Sequence, residues 1–284
     1  MRGVASFVLL LALTATARAE PPGDMVLVPA GTRAIGSQEG FPDERPSFST
    51  DIAAFYLDRS PVTVKRFRAF VEASGYVTEA ETFGTGAVLL TGVGAWRLVE
   101  GANWRKPRGP QNEAAPDDHP VTQVSWNDAE AFCAAEGKRL PTEIEWEHAA
   151  RFGQDAQGHV FEHPGDAKGP DGYRANVWQG LFPVTNTVAD GYRFTAPVGT
   201  FGTTPLGLTD MAGNVWEWTA SWYRPYAQRE APFTPDTSSE RVQRGGSYLC
   251  DANICSGFRV TARSHSTPDS ALEHVGFRCA RDAP

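Results

Sequence analysis

The stretch RVQRGGSYLCDANICSGFRVTARSHSTPDSALEHVGFRCAR, from Arg241 to Arg281, holds three of the four cysteines in this chain of 284 residues. Cys250 and Cys255 are separated by only four residues in a polar, glycine-flanked segment. Cys279 lies in an apolar run that predicts a buried strand, and the fourth cysteine, Cys133, lies on the apolar face of a predicted helix. The pattern separates a close, exposed pair from two cysteines in core elements.

Four cysteines in an oxidising compartment allow three fully paired connectivities, so two structural disulfides are one interpretation. A bridge from Cys133 to Cys279 would close a loop of about 147 residues and stabilise by roughly 4–5 kcal/mol in the chain-entropy model. Cys250 and Cys255 would then be a redox-active disulfide, a structural staple or a soft-metal site. Two thiolates with no nearby histidine suit monovalent copper better than zinc, and the neighbouring carboxylate of Asp251 is a poor ligand for that ion.

Hydrophobic spacing predicts an α+β fold with a few helices on short, partly antiparallel strands. MVLVPAGTRAIGS (Met25 to Ser37) predicts strand, turn and strand, and VGFRCA (Val275 to Ala280) predicts one terminal strand. We expect an irregular surface excursion at residues 78–118. Three helices are predicted after Thr63, near Asn127 and from Thr142, where Glu145 completes a capping box; their apolar faces carry Val64, Phe67, Phe70 and Val71, then Ala129, Phe132 and Cys133, then Trp146, Ala149 and Ala150, and Gly75 and Gly137 end the first two.

The N-terminus opens with Arg2, continues with an apolar run to about residue 15 and ends in ARA at residues 17–19. This tripartite pattern is typical of a secretory signal peptide, with a buried N-terminal helix as the alternative. The run is too short for a stable membrane-spanning helix. We therefore expect a signal peptide at residues 1–19, one domain at residues 20–284, and a periplasmic or secreted protein without membrane insertion.

Composition narrows the class further. Without residues 1–19, 24 Lys and Arg stand against 34 Asp and Glu, a net charge of −10. An acidic chain without a basic stripe is a poor nucleic-acid binder. The 28 glycines and 21 prolines exceed the usual share of roughly 12%, which predicts long irregular segments and low regular secondary structure. Such a fold needs additional ties, such as disulfides or bound ions.

The stretch from Arg241 to Arg281 resembles the C-terminal signature of formylglycine-generating enzymes, also called sulfatase-modifying factors. The motifs GNVWEW and GFRC mark only the broader superfamily, whereas two cysteines inside GGSYLCDANIC, followed by TPDS, are more specific. The resemblance covers almost all of the mature chain and implies a loop-rich domain related to the C-type-lectin fold. Supporting segments are MVLVPAGTRAIGS, HPVTQVSWNDAEAFCAAEGKRLPTEIEWEHAAR (His119 to Arg151), ANVWQGLFPVTNT (Ala175 to Thr187) and GLTDMAGNVWEWT (Gly207 to Thr219).

The resemblance implies an oxidase that uses dioxygen to convert a cysteine to Cα-formylglycine. Its substrate is an unfolded or nascent sulfatase polypeptide with a C-x-[PA]-x-R core. By position, Cys250 and Cys255 would hold copper(I), to which substrate thiolate and dioxygen come; soft sulfur ligands and an open position suit that chemistry. A hydrogen leaves the substrate Cβ, and the thioaldehyde-like product hydrolyses. Ser247 and Trp216 align with active-site residues of the family, with turn capping and core packing as their structural alternatives.

The resemblance also implies structural calcium and the disulfide Cys133–Cys279. Mixed carboxylate, amide and carbonyl oxygens suit a hard, flexible cation. Turn and cap chemistry is the alternative for the same residues. One calcium site would use the side chains of Asn176 and Asp190 with the carbonyls of Val177 and Tyr192, and a second would use Asp210, Gly213, Asn214 and Glu217.

The chain also departs from the family pattern. Between the reactive cysteines, vertebrate members carry basic and aromatic residues, whereas this chain has DANI at residues 251–254. The departure concerns substrate contacts more than metal chemistry, and the sequence identifies no acceptor for the substrate arginine. A second disulfide of the vertebrate members is absent here, with Ala150 and Val260 at its positions.

Other functions stay open. An exported oxidase of the same fold could act on another substrate, such as a peptide siderophore precursor; both reactive positions are cysteine here, which favours the formylglycine reaction. A non-catalytic binding module of the lectin type would need no free thiol pair. An iron-dependent sulfoxide synthase is disfavoured, because those relatives carry an additional histidine-rich helical domain and this chain has only 6 His.

Overall fold

A computed structural model describes residues 23–284, and the predicted signal peptide lies outside them. Within that range, four α-helices and fifteen short strands are joined by long irregular segments. The helices are α1 (Val64–Ser74), α2 (Glu79–Phe83), α3 (Trp126–Ala135) and α4 (Glu143–Ala150), with 3-10 turns at Pro42–Glu44 and Tyr226–Gln228. The strands are β1 (Met25–Val28), β2 (Gly31–Ile35), β3 (Phe48–Ile52), β4 (Phe55–Asp58), β5 (Thr85–Leu90), β6 (Ala95–Glu100), β7 (Lys168–Gly169), β8 (Gly172–Tyr173), β9 (Gly180–Leu181), β10 (Thr185–Asn186), β11 (Trp216–Trp222), β12 (Arg241–Arg244), β13 (Arg263–Ser266), β14 (Val275–Phe277) and β15 (Ala280–Asp282).

The three predicted helices are α1, α3 and α4, and local capping explains their bounds. The Thr63 hydroxyl accepts from a first-turn N–H of α1, and Gly75 ends that helix with φ 70°. Thr142 and Glu145 form the predicted capping box of α4. α3 begins at Trp126, one residue earlier than expected, with a second capping box at its start. These caps satisfy N–H groups that have no partner inside the helix.

The strands form two main sheets that share the end of the chain. Four strands pair in the order β13-β12-β11-β14, and three pair in the order β1-β4-β15. Both strands predicted at residues 25–37 exist, but β1 pairs with β4 and β2 with β3, so they form no common hairpin. The prediction of a single terminal strand at residues 275–280 is wrong. The segment divides into β14 and β15, which join the two different sheets.

The expectation of an irregular excursion is wrong for residues 79–100. They form α2 and a hairpin in which β5 pairs with β6 from Thr85–Glu100 to Leu90–Ala95. The sequence of β5 does not alternate between apolar and polar residues, because Val88 and Leu89 are both buried, on opposite faces of the hairpin. The backbone of β5 also bonds to the C-terminal segment, where the N–H of Ala87 donates to the carbonyl of Ala271 at 2.9 Å.

The larger core cluster joins α1, α3 and the C-terminal strands through aromatic rings. Phe67 stacks on Phe132 at 5.8 Å between ring centroids, and Phe277 meets Phe132 edge-on at 5.3 Å. Beside these rings a disulfide joins Cys133 of α3 to Cys279, with the Cα atoms 5.7 Å apart. The predicted disulfide is therefore confirmed, and it ties α3 to the segment between β14 and β15.

Buried ion pairs hold the C-terminal part of the chain, a feature that the sequence analysis did not find. Each pair joins an arginine from residues 244–278 to a glutamate that lies at least 61 positions earlier in the chain. All eight side chains are at most 10% exposed, so solvent screening is weak. The pairs are Arg244–Glu147 at 2.5 Å, Arg259–Glu44 at 2.5 Å, Arg263–Glu143 at 2.9 Å and Arg278–Glu217 at 2.6 Å.

We predict that Arg278→Met destabilises the protein by about 3–5 kcal/mol, because it leaves the carboxylate of Glu217 buried and uncompensated. Arg278 also donates to four backbone carbonyls, which would lose their partners. Urea unfolding followed by tryptophan fluorescence measures the change. Asp24→Asn, which breaks the exposed Arg59–Asp24 pair, is the control and should cost less than about 1 kcal/mol. Equal effects of the two substitutions would contradict the prediction.

Candidate thiol site

The two ends of the loop that carries Cys250 and Cys255 lie against each other, with the backbone of Gly246 close to that of Phe258. The chain leaves β12 through Gly245 and Gly246, whose φ angles are 95° and 75°. A Cβ on Gly246 would lie 2.5 Å from the backbone nitrogen of Phe258, so only glycine permits this approach. Residues 247–257 therefore form a closed loop that follows β12 of the four-stranded sheet.

The two cysteines of the loop are free thiols in direct contact. Their Sγ atoms are 2.7 Å apart, and no disulfide joins them. Cys250 is 2% exposed, whereas Cys255 is only partly buried. One sulfur therefore lies in the core and its partner can be reached from outside.

The surroundings give the two thiols opposite acidities. Burial raises the pKa of Cys250 well above its usual range, and the neighbouring Cys255 raises it further. The hydrogen bond from Cys250 lowers the pKa of Cys255, assisted by the N–H of Gly257 and the positive charge of Arg259. Cys255 is therefore the more acidic of the two thiols in the metal-free protein.

Ser247 lies against the buried thiol. Its N–H donates to the Sγ atom of Cys250 at 3.4 Å, while its hydroxyl oxygen accepts from the N–H of Leu249 at 3.2 Å. The hydroxyl thus caps the turn, which was the structural alternative for this residue. A role for Ser247 in catalysis stays a prediction.

Trp216 forms a wall of the site. It is 5% exposed and belongs to β11. A Cβ on Gly257 would lie 2.4 Å from its ring and 2.8 Å from the Sγ atom of Cys250, so both groups pack against this glycine. The structure therefore places Trp216 beside the buried thiol, which is compatible with core packing and with a role at the site.

His274, which the sequence analysis missed, adjoins Trp216. Its carbonyl accepts from the N–H of Trp216 at 3.0 Å, and its ring packs on Trp96 with centroids 4.9 Å apart. Its Nδ1 atom is buried without a hydrogen-bond partner. Burial lowers the pKa of His274 to about 3, so the imidazole is neutral. No local pattern marks this residue, because a hairpin more than 170 residues earlier supplies its ring partner.

Two hairpin tips border the same region. The N–H of Trp178 donates to the carbonyl of Cys250 at 3.0 Å, and its ring meets that of Phe182 edge-on at 5.2 Å. The next residue, Pro183, accepts at its carbonyl from the N–H of Gly92 at the tip of the β5–β6 hairpin. The β9–β10 hairpin and the β5–β6 hairpin therefore contact each other beside the thiol loop.

The first predicted calcium group comes together. The carboxylate of Asp190 accepts from the N–H groups of Val177 and Tyr192 at 3.0 and 2.9 Å. The carbonyl of Val177 accepts from the side chain of Gln179. The Oδ1 atom of Asn176 is buried without any hydrogen-bond partner. A buried amide oxygen without a partner and a partly buried carboxylate are the donor chemistry that calcium binds.

The second predicted calcium group comes together only in part. Asn214 donates to Asp210 at 3.1 Å, and both residues have positive φ angles, 63° and 55°. Glu217 does not fit a cation site in this arrangement. Both of its carboxylate oxygens accept from Arg278, one also accepts from Trp146, and the guanidinium would repel a second cation.

Residues 23–284 contain no group of three or more His, Cys, Asp or Glu that could hold a metal ion. No helix in the described part of the chain is long and apolar enough to cross a membrane.

Comparison with known families matches nearly the whole sequence to one domain type. The sulfatase-modifying factor enzyme 1-like domain matches residues 12–283. The chain is 43% identical to the formylglycine-generating enzyme of Streptomyces coelicolor, over 94% of this chain and 92% of that protein. It is 40% identical to the inactive C-alpha-formylglycine-generating enzyme 2 of Mus musculus, over 91% of this chain and 86% of that protein.

Among solved structures, PvdO from Pseudomonas aeruginosa is similar with a TM-score of 0.67 and 26% identity. The match covers 91% of this chain and 94% of the PvdO chain. This likeness confirms the predicted fold.

We predict that in the metal-free protein Cys255 is alkylated at least about tenfold faster than Cys250, because it is more exposed and its pKa is lowered. Its reaction should persist below the pH at which an ordinary cysteine loses reactivity, since a lowered pKa keeps the thiolate populated there. Timed iodoacetamide labelling with peptide mapping measures both rates. In Cys255→Ser, Cys250 should stay slow. Equal labelling of both cysteines in the wild type would contradict the assignment.

Proposed function

The chain belongs to the sulfatase-modifying factor family, and from that premise we propose that it is an oxidase that converts a cysteine of sulfatase polypeptides to Cα-formylglycine. The observation that carries the proposal is the pair of free thiols 2.7 Å apart, one buried and one reachable. A staple would need these sulfurs bonded, and a pure binding module would need no thiols at all.

The proposed reaction balances with dioxygen and an external thiol reductant. The substrate CH2SH group becomes CHO and its sulfur leaves as hydrogen sulfide. One dioxygen accepts two electrons from the substrate carbon and two from the reductant, takes up two hydrogens from the substrate and two protons from the reductant, and leaves as two waters. One water then hydrolyses the thioaldehyde and supplies the aldehyde oxygen. An exported enzyme would draw that reductant from its surroundings.

The donor set fits copper(I), which we propose as the cofactor. Cys250 and Cys255 would hold it, because two sulfur ligands favour a soft, monovalent ion, and residues 23–284 bring together no group of three or more His, Cys, Asp or Glu that would suit a harder one. When bound, copper would supply dioxygen activation and a coordination position for the substrate sulfur. The Cys250 thiol must lose its proton on binding, which its burial makes costly in the metal-free state.

The chain's own side chains would prepare the site. The buried ring of Trp216 and the backbone at Gly257 exclude water from the inner sulfur. The N–H of Ser247 donates to the Sγ atom of Cys250, which stabilises the thiolate that a metal needs. Arg259, held by Glu44, places a positive charge near Cys255. These groups act before any substrate arrives.

The outer side of the loop would meet the polypeptide. Asn253 and Ile254 are exposed next to Cys255, and Ile254 is 62% exposed. Trp96, 42% exposed, lies on the neighbouring hairpin face. An open surface with apolar side chains fits an unfolded segment with a C-x-[PA]-x-R core better than a folded partner. No acceptor for the substrate arginine is assigned.

Calcium and export are further parts of the proposal. The orphaned oxygen of Asn176 supports a structural calcium at the group that includes Asp190. The second calcium group has weaker support, since Glu217 pairs with Arg278. The disulfide Cys133–Cys279 suits an oxidising compartment, which supports export through the N-terminal segment to the periplasm or the medium.

Overall identity does not separate this function from its rivals. The chain is 40% identical both to the formylglycine-generating enzyme and to the inactive enzyme 2 of Mus musculus. It also shares its fold with PvdO, which is not named a formylglycine-generating enzyme, at 26% identity. An oxidase with another substrate therefore stays the second candidate, and the thiol pair is what favours an oxidase over a binding module.

We predict that the purified protein with copper and a thiol reductant converts a synthetic peptide containing L-C-T-P-S-R to the aldehyde. Cys250→Ser and Cys255→Ser should each abolish conversion, because each removes one of the two sulfur ligands. Mass spectrometry of the peptide measures the loss of the CH2SH group in favour of CHO.

The matched control removes the other two cysteines together. Cys133→Ala with Cys279→Ala should lower stability by roughly 4–5 kcal/mol yet retain conversion at low temperature. Full activity in either serine variant would refute the mechanism. Copper binding without peptide conversion would favour the second candidate.

We predict that calcium raises the melting temperature and that a chelator lowers it, since a ligand at about one hundred times its Kd stabilises by about 2.7 kcal/mol. Asn176→Ala should remove the response, because it deletes the orphaned oxygen. Asp171→Asn, which changes an exposed carboxylate nearby in the sequence, is the control and should keep it. A melting temperature that ignores calcium in the wild type would exclude this site.

A further inference from the structure

Asp251, directly after Cys250, does not face the outside of the thiol loop. It is 5% exposed, whereas Asn253 and Ile254 are exposed. The departure from the family pattern at this position therefore does not create a substrate contact. The carboxylate is turned into the loop, and its partners are backbone groups of the loop itself.

Four consecutive N–H groups end on this one residue. The Oδ1 atom of Asp251 accepts from the N–H groups of Asn253 and Ile254 at 2.8 and 3.1 Å. Its carbonyl oxygen accepts from the N–H groups of Cys255 and Ser256 at 3.2 and 2.9 Å. A carboxylate acceptor makes stronger hydrogen bonds than a neutral one, and aspartate commonly stabilises turns in this way.

The shape that these bonds hold is one the chain would not adopt freely. Five residues of extended chain span roughly 17 Å, yet the two sulfurs are in contact. Ser256 has φ 47°, a left-handed conformation that is unfavourable for a residue other than glycine. Its hydroxyl donates to the carbonyl of Ala252 at 2.7 Å, which closes the turn on the other side.

We propose that Asp251 is a positioning residue that holds Cys250 and Cys255 together before any metal or substrate is present. It acts by hydrogen-bond geometry, since its side chain is buried and accepts from N–H groups of the loop. Its importance for catalysis rests on the proposed function, but the positioning itself can be measured without activity. A preorganised pair forms its mutual disulfide more readily, because less freedom is lost on closure.

The test is the redox equilibrium of the metal-free protein with glutathione. Glutathione disulfide takes two electrons from the pair; a Cys250–Cys255 bond forms and two reduced glutathione molecules leave with the thiol protons. After acid quench and alkylation, mass spectrometry of the peptide that contains both cysteines gives the equilibrium constant.

Asp251→Ala should lower the constant for disulfide formation about tenfold, the effect of losing hydrogen bonds to a charged acceptor. Asp251→Asn should stay within about threefold of the wild type, because its amide oxygen can accept the same N–H groups. Asp251→Glu keeps the charge but displaces the acceptor, and it should fall with the alanine variant. The control is Asp236→Ala, which removes a similar turn cap at Ser238 far from the thiols and should change nothing.

If the equilibrium constant for disulfide formation in Asp251→Ala equals that of the wild type, the proposal is overturned. A constant for Asp251→Asn about tenfold below that of the wild type would also overturn it, and this outcome decides the question even if the alanine variant does not fold. Assaying peptide oxidation on the same samples separates the two proposals. If the wild type fails to oxidise the peptide while the constants change as expected, the proposed function falls and the positioning role stands.

Discussion

Four buried arginine–glutamate pairs determine how the last part of this chain is held. Residues 247–262 contain no strand or helix, so repeating backbone hydrogen bonds cannot fix their path. Instead, Arg259 anchors the segment itself to the first 3-10 turn, and Arg244 and Arg263 fix its two ends to α4. Arg278, further along the chain, pairs with Glu217 of β11. A buried pair is a demanding anchor, since either partner alone is costly to bury, and it therefore specifies one arrangement of the irregular segment.

The thiol site depends on that arrangement. Successive residues of β11 point to opposite faces of the sheet, so Trp216 packs beside the buried sulfur while Glu217 reaches the guanidinium of Arg278. On the other side, Arg259 lies four residues after Cys255 and is fixed by Glu44. The same ion pairs that replace regular structure thus place both the wall of the site and the positive charge near the outer thiol.

The chemistry of the thiol pair distinguishes the candidate functions of this protein, whereas overall sequence and fold similarity do not. The formylglycine-generating enzyme and the inactive enzyme 2 of Mus musculus are each 40% identical to this chain, and PvdO from Pseudomonas aeruginosa shares its fold. Fold-level likeness therefore limits the candidates without choosing among them. The two sulfurs support the proposed oxidase, because ligand display does not require a buried thiol in contact with a more accessible one.

The sequence by itself determined what depends on near neighbours. Helix starts follow from caps such as Thr142 with Glu145, and the cysteine spacing distinguished the local pair from the confirmed bridge Cys133–Cys279. Only the tertiary structure decided the β5–β6 hairpin, the division of the terminal strand, the pairing of Glu217 with Arg278 and the place of His274 beside Trp216. These features arise from contacts between residues far apart in the chain, whose partners leave no local period or motif, so burial and charge pairing can be read only from the folded protein.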